Sequence, residues 1–547
     1  MKALLIYPPI KGYLSDTPWP DPPLGLGYIG SVLEENDFEV EILDALALGT
    51  DNVEQEGEFI RVGLSWADLK KRVSNASPDI VGVSAAYTAY ANDSHHCAKI
   101  VKEVNPDIPV VFGGAHTSIL YEKVLSDPNV DVAILGEGEM TFLELMKQLK
   151  SNGNIYTVDG TAVLKNSSIL RHPPRPFIEE LDSIPFPARH LLPMDNYFHK
   201  PSFLRDYSMR QPRTNMITSR GCPFNCVFCS IHSVWGYKWR WRSARNVADE
   251  IEVLTSRYGV KEIAFLDDNL SLNKKRMMEI CDEIIERKLD IKWCTPNGVM
   301  VRTLDQEVIR SMKKSGCWKL TLGIESGSVE TQNFIGKKID LEKCRKTIEF
   351  CNKIGMWTHA TFIIGFPNET LESINQTINF AIDSELDLAN FYVATPYPST
   401  KLHEIYVKEK LLEPDSDISY LSVNLPGTRT KYFSKKELKK MQSSAYSKFI
   451  SSRMKRFLNP LRIQKKIKSF DDIRFVTKIM KARIRKSMYS SNFMVSEPTT
   501  TSSYSITFFS LLNSTKSLWR TRNFVFIPHF FLSSGNAISE PSRSMHV

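Results

Sequence analysis

The sequence predicts an α/β protein: an N-terminal doubly wound, Rossmann-like domain, then a partial, TIM-like (β/α)6 barrel, then a basic helical C-terminal region. Three observations carry this expectation. Short apolar runs alternate with helical periods from residue 1 to about 150, and a second such series runs from Asn215 to Ala394. The chain has 547 residues, 42% hydrophobic and 24% charged, enough to build several cores.

In the first series the strands are expected at Ala3–Tyr7, Glu39–Leu43, Asp79–Ser84, Pro109–Phe112 and Asp131–Leu135, with helices such as Leu26–Asn36 and Ser94–Val104 between them. An open sheet of this kind binds its ligand at the carboxyl ends of the strands. The turns there are small: Ser84-Ala-Ala86, Gly113-Gly114-Ala115 and Gly136-Glu-Gly-Glu139. In the second series the strands are expected at Asn215–Ser219, Glu262–Asp267, Ile291–Thr295, Trp318–Gly323, Trp357–Ile363 and Asp387–Ala394. Six units fall short of the eight that close a barrel, so an open one is expected. The domains read as 1–150, a connector over 151–212, the barrel over 213–430, a helical cap over 431–490, and a low-complexity tail over 491–547 that is expected to be poorly ordered.

Charge is uneven. Residues 431–486 carry 19 Lys/Arg against 3 Asp/Glu, whereas residues 1–430 carry 47 against 57. The overall +8 therefore does not describe the acidic main body, and nucleic acid is not expected as a partner. The basic stretch reads first as a cap on the barrel, with peripheral membrane contact through 431–486 as an alternative. No run approaches a membrane span, and Met1–Pro9 reads as a first strand rather than a signal peptide, so the cytoplasm is the expected compartment. Nine cysteines with no secretion signal argue against a disulfide framework.

Three of the nine stand in Arg220-Gly-Cys-Pro-Phe-Asn-Cys-Val-Phe-Cys229, a C-x3-C-x2-C spacing directly after an apolar strand. Three thiolates cannot close a four-coordinate zinc site unaided, whereas they leave one iron of a [4Fe–4S] cube open. A zinc knuckle with a distant fourth ligand and chance clustering are the alternatives. Cys222, Cys226 and Cys229, with Phe228 before the third, resemble the signature of the radical SAM superfamily. The resemblance implies that these cysteines are the catalytic and metal-ligating residues, and that the open iron chelates S-adenosylmethionine (SAM). Further segments match in the family's order, and the resemblance implies their roles. Phe265-Leu-Asp-Asp-Asn269 would bring Asp267, Asp268 and Asn269 near the SAM amino group. Leu322-Gly-Ile-Glu-Ser-Gly327 would bring Glu325 and Ser326 near its ribose and carboxylate. Phe362–Glu369 would bring Gly365 beside the adenine. Cys281, Cys344 and Cys351 fall in helical periods and read as buried small hydrophobes, and packing is also the reading favoured for Cys294 and Cys317.

The N-terminal series resembles the cobalamin-binding domain fused to many radical SAM proteins, through Pro22–Tyr28, Val81–Ser84, Val110–His116 and Gly136–Glu139. The resemblance implies ligand contacts at Ser84, Gly113, Gly114 and Glu137. It departs in one respect. The loop Pro8–Gly25 lacks the histidine that many such domains offer to cobalt, and His95 and His96 read as ordinary helix residues. His116 is either a polar contact to the ligand or a helix cap.

The resemblance implies a cobalamin-dependent methyltransferase acting at an unactivated carbon. A 5′-deoxyadenosyl radical would remove the hydrogen and methylcobalamin would supply the methyl group. An external donor such as flavodoxin or ferredoxin would supply electrons, and the substrate would be a small or lipid-like molecule. Oxidative cyclisation without methyl transfer and a non-catalytic iron–sulfur module are the alternatives. The only cysteine before the cluster is Cys97, against the extra N-terminal cysteines of methylthiolating relatives.

Overall fold

In the computed structural model, which describes residues 1–13, 20–199, 208–412, 424, 426–457 and 460–478, the two strand series form two separate sheets within one compact unit, Met1–Ala482. The strands are β1 (Lys2–Tyr7), β2 (Ile10–Tyr13), β3 (Glu39–Asp44), β4 (Val53–Glu56), β5 (Phe59–Val62), β6 (Ile80–Ser84), β7 (Val110–Gly113), β8 (Val132–Ile134), β9 (Thr161–Lys165), β10 (Ser168–Arg171), β11 (Arg213–Met216), β12 (Ser219–Arg220), β13 (Arg240–Trp241), β14 (Glu262–Phe265), β15 (Lys292–Cys294), β16 (Cys317–Glu325), β17 (Trp357–Ile364) and β18 (Leu388–Val393).

The first sheet runs β10-β9-β8-β7-β6-β1-β3. Its five expected strands are parallel, while β9 and β10 extend it in antiparallel sense. The order reverses between β1 and β6, which places the binding crevice outside the carboxyl ends of those strands. Part of the expected connector thus belongs to the first sheet. A small three-stranded sheet, β2-β5-β4, stands beside it and was not anticipated.

The second sheet runs β11-β14-β15-β16-β17-β18 in chain order, every pair parallel, as a six-stranded partial barrel requires. Its helices start and stop on local signals. The Ser243 side chain accepts from Asn246 N–H at the start of Ala244–Tyr258, and Gly259 ends that helix with φ +64°. Alternate strand residues serve two cores. Ile263, Phe265, Leu320 and Leu322 pack outward on the helices, while Ala264, Cys294, Trp318 and Trp357 form a separate cluster.

The C-terminal region caps this barrel. Helix Lys435–Phe457 packs on β18, with Gln442 donating to Phe391 O and buried Arg453 donating to Ala381 O and Ile382 O. In the following helical stretch, 470–478, Phe475 seats its ring 4.7 Å from Trp318 and 5.0 Å from Trp357, and Asp472 accepts from the Trp357 indole. Lys466 is buried on Asp387. The expected tail over 491–547 lies outside the described residues. No helix among the described residues is long and apolar enough to cross a membrane.

Candidate active site

The three-cysteine loop leaves the barrel through Arg220 and a glycine that no other residue can replace without rearrangement. Gly221 has φ +85°, and a Cβ there would lie 2.3 Å from Lys238 O. The loop is tied down along its length. Cys222 O meets the His232 ring at 2.9 Å, Val227 N–H donates to Ile335 O, and Cys229 N–H donates to Cys226 O. The His232 ring in turn stacks on Tyr237 at 3.8 Å.

All three cluster thiols are partly buried, and burial raises each pKa, to about 11 for Cys226 and about 12 for Cys229. They influence one another electrostatically, so they share one locality. Such thiols ionise at neutral pH only if a cationic centre takes them, which suits three ligands of an iron–sulfur cluster. No group of three or more His, Cys, Asp or Glu among the described residues converges on a single-ion site. The other six cysteines are buried and free of disulfides.

The strand-end residues divide into two kinds. Asp268 and Asn269 are the candidates for ligand contact. Asp268 lies beside the cysteines, where desolvation and then the neighbouring Asp267 raise its pKa to about 7. Asn269 is buried, and its Oδ1 has no hydrogen-bond partner. Glu325, with φ +66° at a register shift of β16, accepts from Lys337 at 2.7 Å and from Thr361 at 3.2 Å. Phe228 packs 6.3 Å from Phe366 between ring centroids.

Three expected contacts are otherwise engaged. The Asp267 carboxylate accepts from Thr218 N–H, Thr218 Oγ1 and Ser219 Oγ, so it braces the exit of the first barrel strand. Ser326 Oγ pairs with Thr377 Oγ1 at 2.8 Å and accepts from Ser328 N–H. Gly365 donates its N–H to Glu369 and packs against Leu438 of the C-terminal helix. For Asp267 and Ser326 the partners Thr218 and Thr377 come from other elements, whereas the Glu369 that meets Gly365 lies in the same motif.

At the crevice of the first sheet, Ser84 and Gly113 pair at adjacent strand ends, and a Cβ on Gly113 would meet open space. Gly114 has φ +113°, and a Cβ there would lie 2.7 Å from Ala85 O. Thr117 Oγ1, in the helix that follows, is buried without a partner. Small residues with an orphaned polar atom suit a large planar ligand brought close to backbone. His116 is buried, bonds Thr88 Oγ1 at 3.1 Å, and is lowered to about 4 by burial, so its ring is neutral. His95 bonds Asp127 at 2.6 Å and His96 stacks on Trp66, both within helix Ala91–Val104.

Glu137 does something other than the expected ligand contact. Its carboxylate accepts from Arg220, Arg240 and Ile178 N–H, while Glu139 accepts from Arg220. Sequence reasoning did not anticipate this ion cluster, nor Lys337. The partners are 81 to 103 residues apart, and Lys337 sits in a turn with no periodic signal.

The pattern of the radical SAM superfamily matches residues 216–381, and that of the B12 binding domain matches residues 17–146. An uncharacterized methyltransferase of Pyrococcus horikoshii is 37% identical, over 82% of this chain and 92% of its own. The cytidylyl-2-hydroxyethylphosphonate methyltransferase of Streptomyces wedmorensis is 32% identical, over 78% of this chain and 86% of its own. The fold resembles that of TsrM from Kitasatospora setae, a radical SAM methyltransferase solved with cobalamin and a [4Fe–4S] cluster, with a TM-score of 0.60 and 17% identity, over 76% of both chains.

Proposed function

We propose that methyl transfer to a carbon atom is the activity of this chain, which belongs to the cobalamin-binding proteins of the radical SAM superfamily. The observation that carries the proposal is the buried ion cluster that ties the cysteine loop of the barrel to the Gly136–Glu139 turn after β8 of the first sheet. Two relatives aligned over most of their own length are called methyltransferases, which supports the same reading. When bound, the cluster with SAM supplies hydrogen abstraction, and methylcobalamin supplies the methyl group.

The chain's own contribution is binding, orientation and enclosure. Cys222, Cys226 and Cys229 offer three thiolates and leave one iron free to take SAM. Asn269, Asp268 and the Glu325–Lys337 pair provide polar groups around the cysteine loop. Glu369 accepts from Gly365 and Phe366 N–H and fixes the turn after β17. Phe475 fills the space against Trp318 and Trp357, which excludes water from that part of the barrel. The substrate is a small or lipid-like molecule, and an external donor such as flavodoxin or ferredoxin supplies the electrons. Membrane contact through the described part of 431–486 would fall to exposed lysines such as Lys435 and Lys436, because Arg453 and Lys466 are buried in the cap.

The test is anoxic incubation of the corrinoid-loaded protein with reductant and SAM labelled in its methyl group. Labelled methylcobalamin and 5′-deoxyadenosine are the expected products. Corrinoid-loaded protein that forms no labelled methylcobalamin would refute the assignment.

A further inference from the structure

Four charged side chains meet where the first sheet's domain touches the cysteine loop. Arg220 Nη1 donates to Glu137 Oε1 at 2.9 Å, and its Nη2 donates to Glu139 Oε1 at 2.6 Å. Arg240 Nη1 donates to the same Glu137 oxygen at 2.7 Å, and also to Ile178 O, while its Nη2 reaches Trp235 O. The other Glu137 oxygen accepts from Ile178 N–H at 2.7 Å. All four side chains are at most 6% exposed. Aromatic faces close the cluster: the Arg220 guanidinium lies over Tyr28 and Trp235, and that of Arg240 over Phe177.

Two carboxylates and two guanidiniums balance in charge. Such a cluster adds little net stability over a well-packed apolar contact, because desolvation offsets the attraction. What it does supply is fixed geometry, since fork-shaped guanidinium contacts hold both partners in one arrangement. Its placement matters for that reason. Glu137 and Glu139 belong to the Gly136–Glu139 turn at the end of β8, and Arg220 lies two residues before Cys222. The backbone agrees: a Cβ on Gly136 would lie 3.8 Å from Val234 O, in the short helix that follows the third cysteine.

We infer that Glu137 and Glu139, with Arg220 and Arg240, are positioning residues that set the separation between the iron–sulfur cluster and the corrin. The inference rests on the two-cofactor reading above. A transfer between two bound groups demands such a fixed separation, because misplacement by about 1 Å can cost about 100-fold in rate.

The test uses full-length protein reconstituted anoxically with iron, sulfide and hydroxocobalamin, then reduced with dithionite so that the cluster and cob(II)alamin are both paramagnetic. Pulsed electron paramagnetic resonance reads their separation from the enhanced relaxation of cob(II)alamin. Wild type should give one narrow separation. E137Q keeps the side-chain volume but removes the charge that both arginines share. It should retain iron and corrinoid while losing the narrow separation in favour of a broad one. R240K keeps the charge balance but cannot span Glu137, Ile178 O and Trp235 O together, and should broaden the separation less. An E137Q protein with the wild-type separation overturns the inference, as does loss of both cofactors with a lowered melting temperature in both variants, which would mark a purely structural role. If E137Q does not load, R240K decides by the same criterion. Wild type that binds no corrinoid would sink the functional reading with it; wild type that loads, with a variant that does not broaden, sinks the inference alone.

Discussion

The Lys337 ammonium lies 2.7 Å from Glu325 Oε1, in a buried pair beside the cysteine loop. Burial works against its charge, but the Glu325 carboxylate beside it outweighs burial and holds it protonated. A fixed cation beside the cluster ligands favours the reduced state of whatever iron centre they hold. K337M should shift the cluster's midpoint potential to a more negative value, and K337R should stay near wild type. A redox titration followed by electron paramagnetic resonance checks this, and an unchanged potential in K337M would contradict it.

Alanine at Cys222, Cys226 or Cys229 should lower bound iron to near zero and abolish 5′-deoxyadenosine formation. The same change at Cys281, Cys344 or Cys351 should leave iron content unchanged, because these thiols are buried among apolar side chains. Their removal should instead destabilise by about 1 kcal/mol, through a small cavity. Iron per chain and melting temperature, measured on all six variants, separate the two classes.

Glu369 provides a pH test. It is buried, and burial raises its pKa from 4.5 to about 7, although it accepts from Gly365 N–H, Phe366 N–H and Thr331 Oγ1. The native state therefore holds a proton that the unfolded chain releases between those two values. The stability due to that proton is fully present below the lower value and is lost as pH rises through the upper one, by at most about 1.4 kcal/mol per pH unit. E369Q mimics the protonated side chain, and its amide can donate to Thr331 Oγ1. Urea unfolding across pH 5 to about 8 should show less pH dependence in E369Q than in wild type.

Phe475 fills a slot between two buried tryptophans. F475A should lose about 3–5 kcal/mol of stability and open that part of the barrel to water. Chemical denaturation measures the first effect and intrinsic tryptophan fluorescence the second, since Trp318 and Trp357 line the space vacated. A loss under about 1 kcal/mol would show that the segment is not a true plug.

The parallel strands of both sheets were readable because they are largely buried and apolar and alternate with amphipathic helices, as at Ala3–Tyr7 and Trp357–Ile363. Strands β4 and β10 carried no such signal: every residue of Val53–Glu56 and of Ser168–Arg171 is exposed, and their pairing follows from neighbours. The cysteine loop was legible because its chemistry is local in sequence. Asp267 was expected as the last residue of its strand; it stands two residues beyond the end of β14, and its direction depends on Thr218 and Ser219 of another strand exit. Glu137 shows the same limit: its turn stands out in the sequence, whereas Arg220 and Arg240 reach it only through the fold.

The central claim is that one chain holds two cofactors at facing strand ends. The most direct measurement is corrinoid and iron content per chain, taken on one sample purified anoxically from cells supplied with cobalamin. The account predicts about one corrinoid and about four irons. Four irons without corrinoid would contradict it, leaving the cysteine loop explained and the first sheet's crevice without the ligand assigned to it.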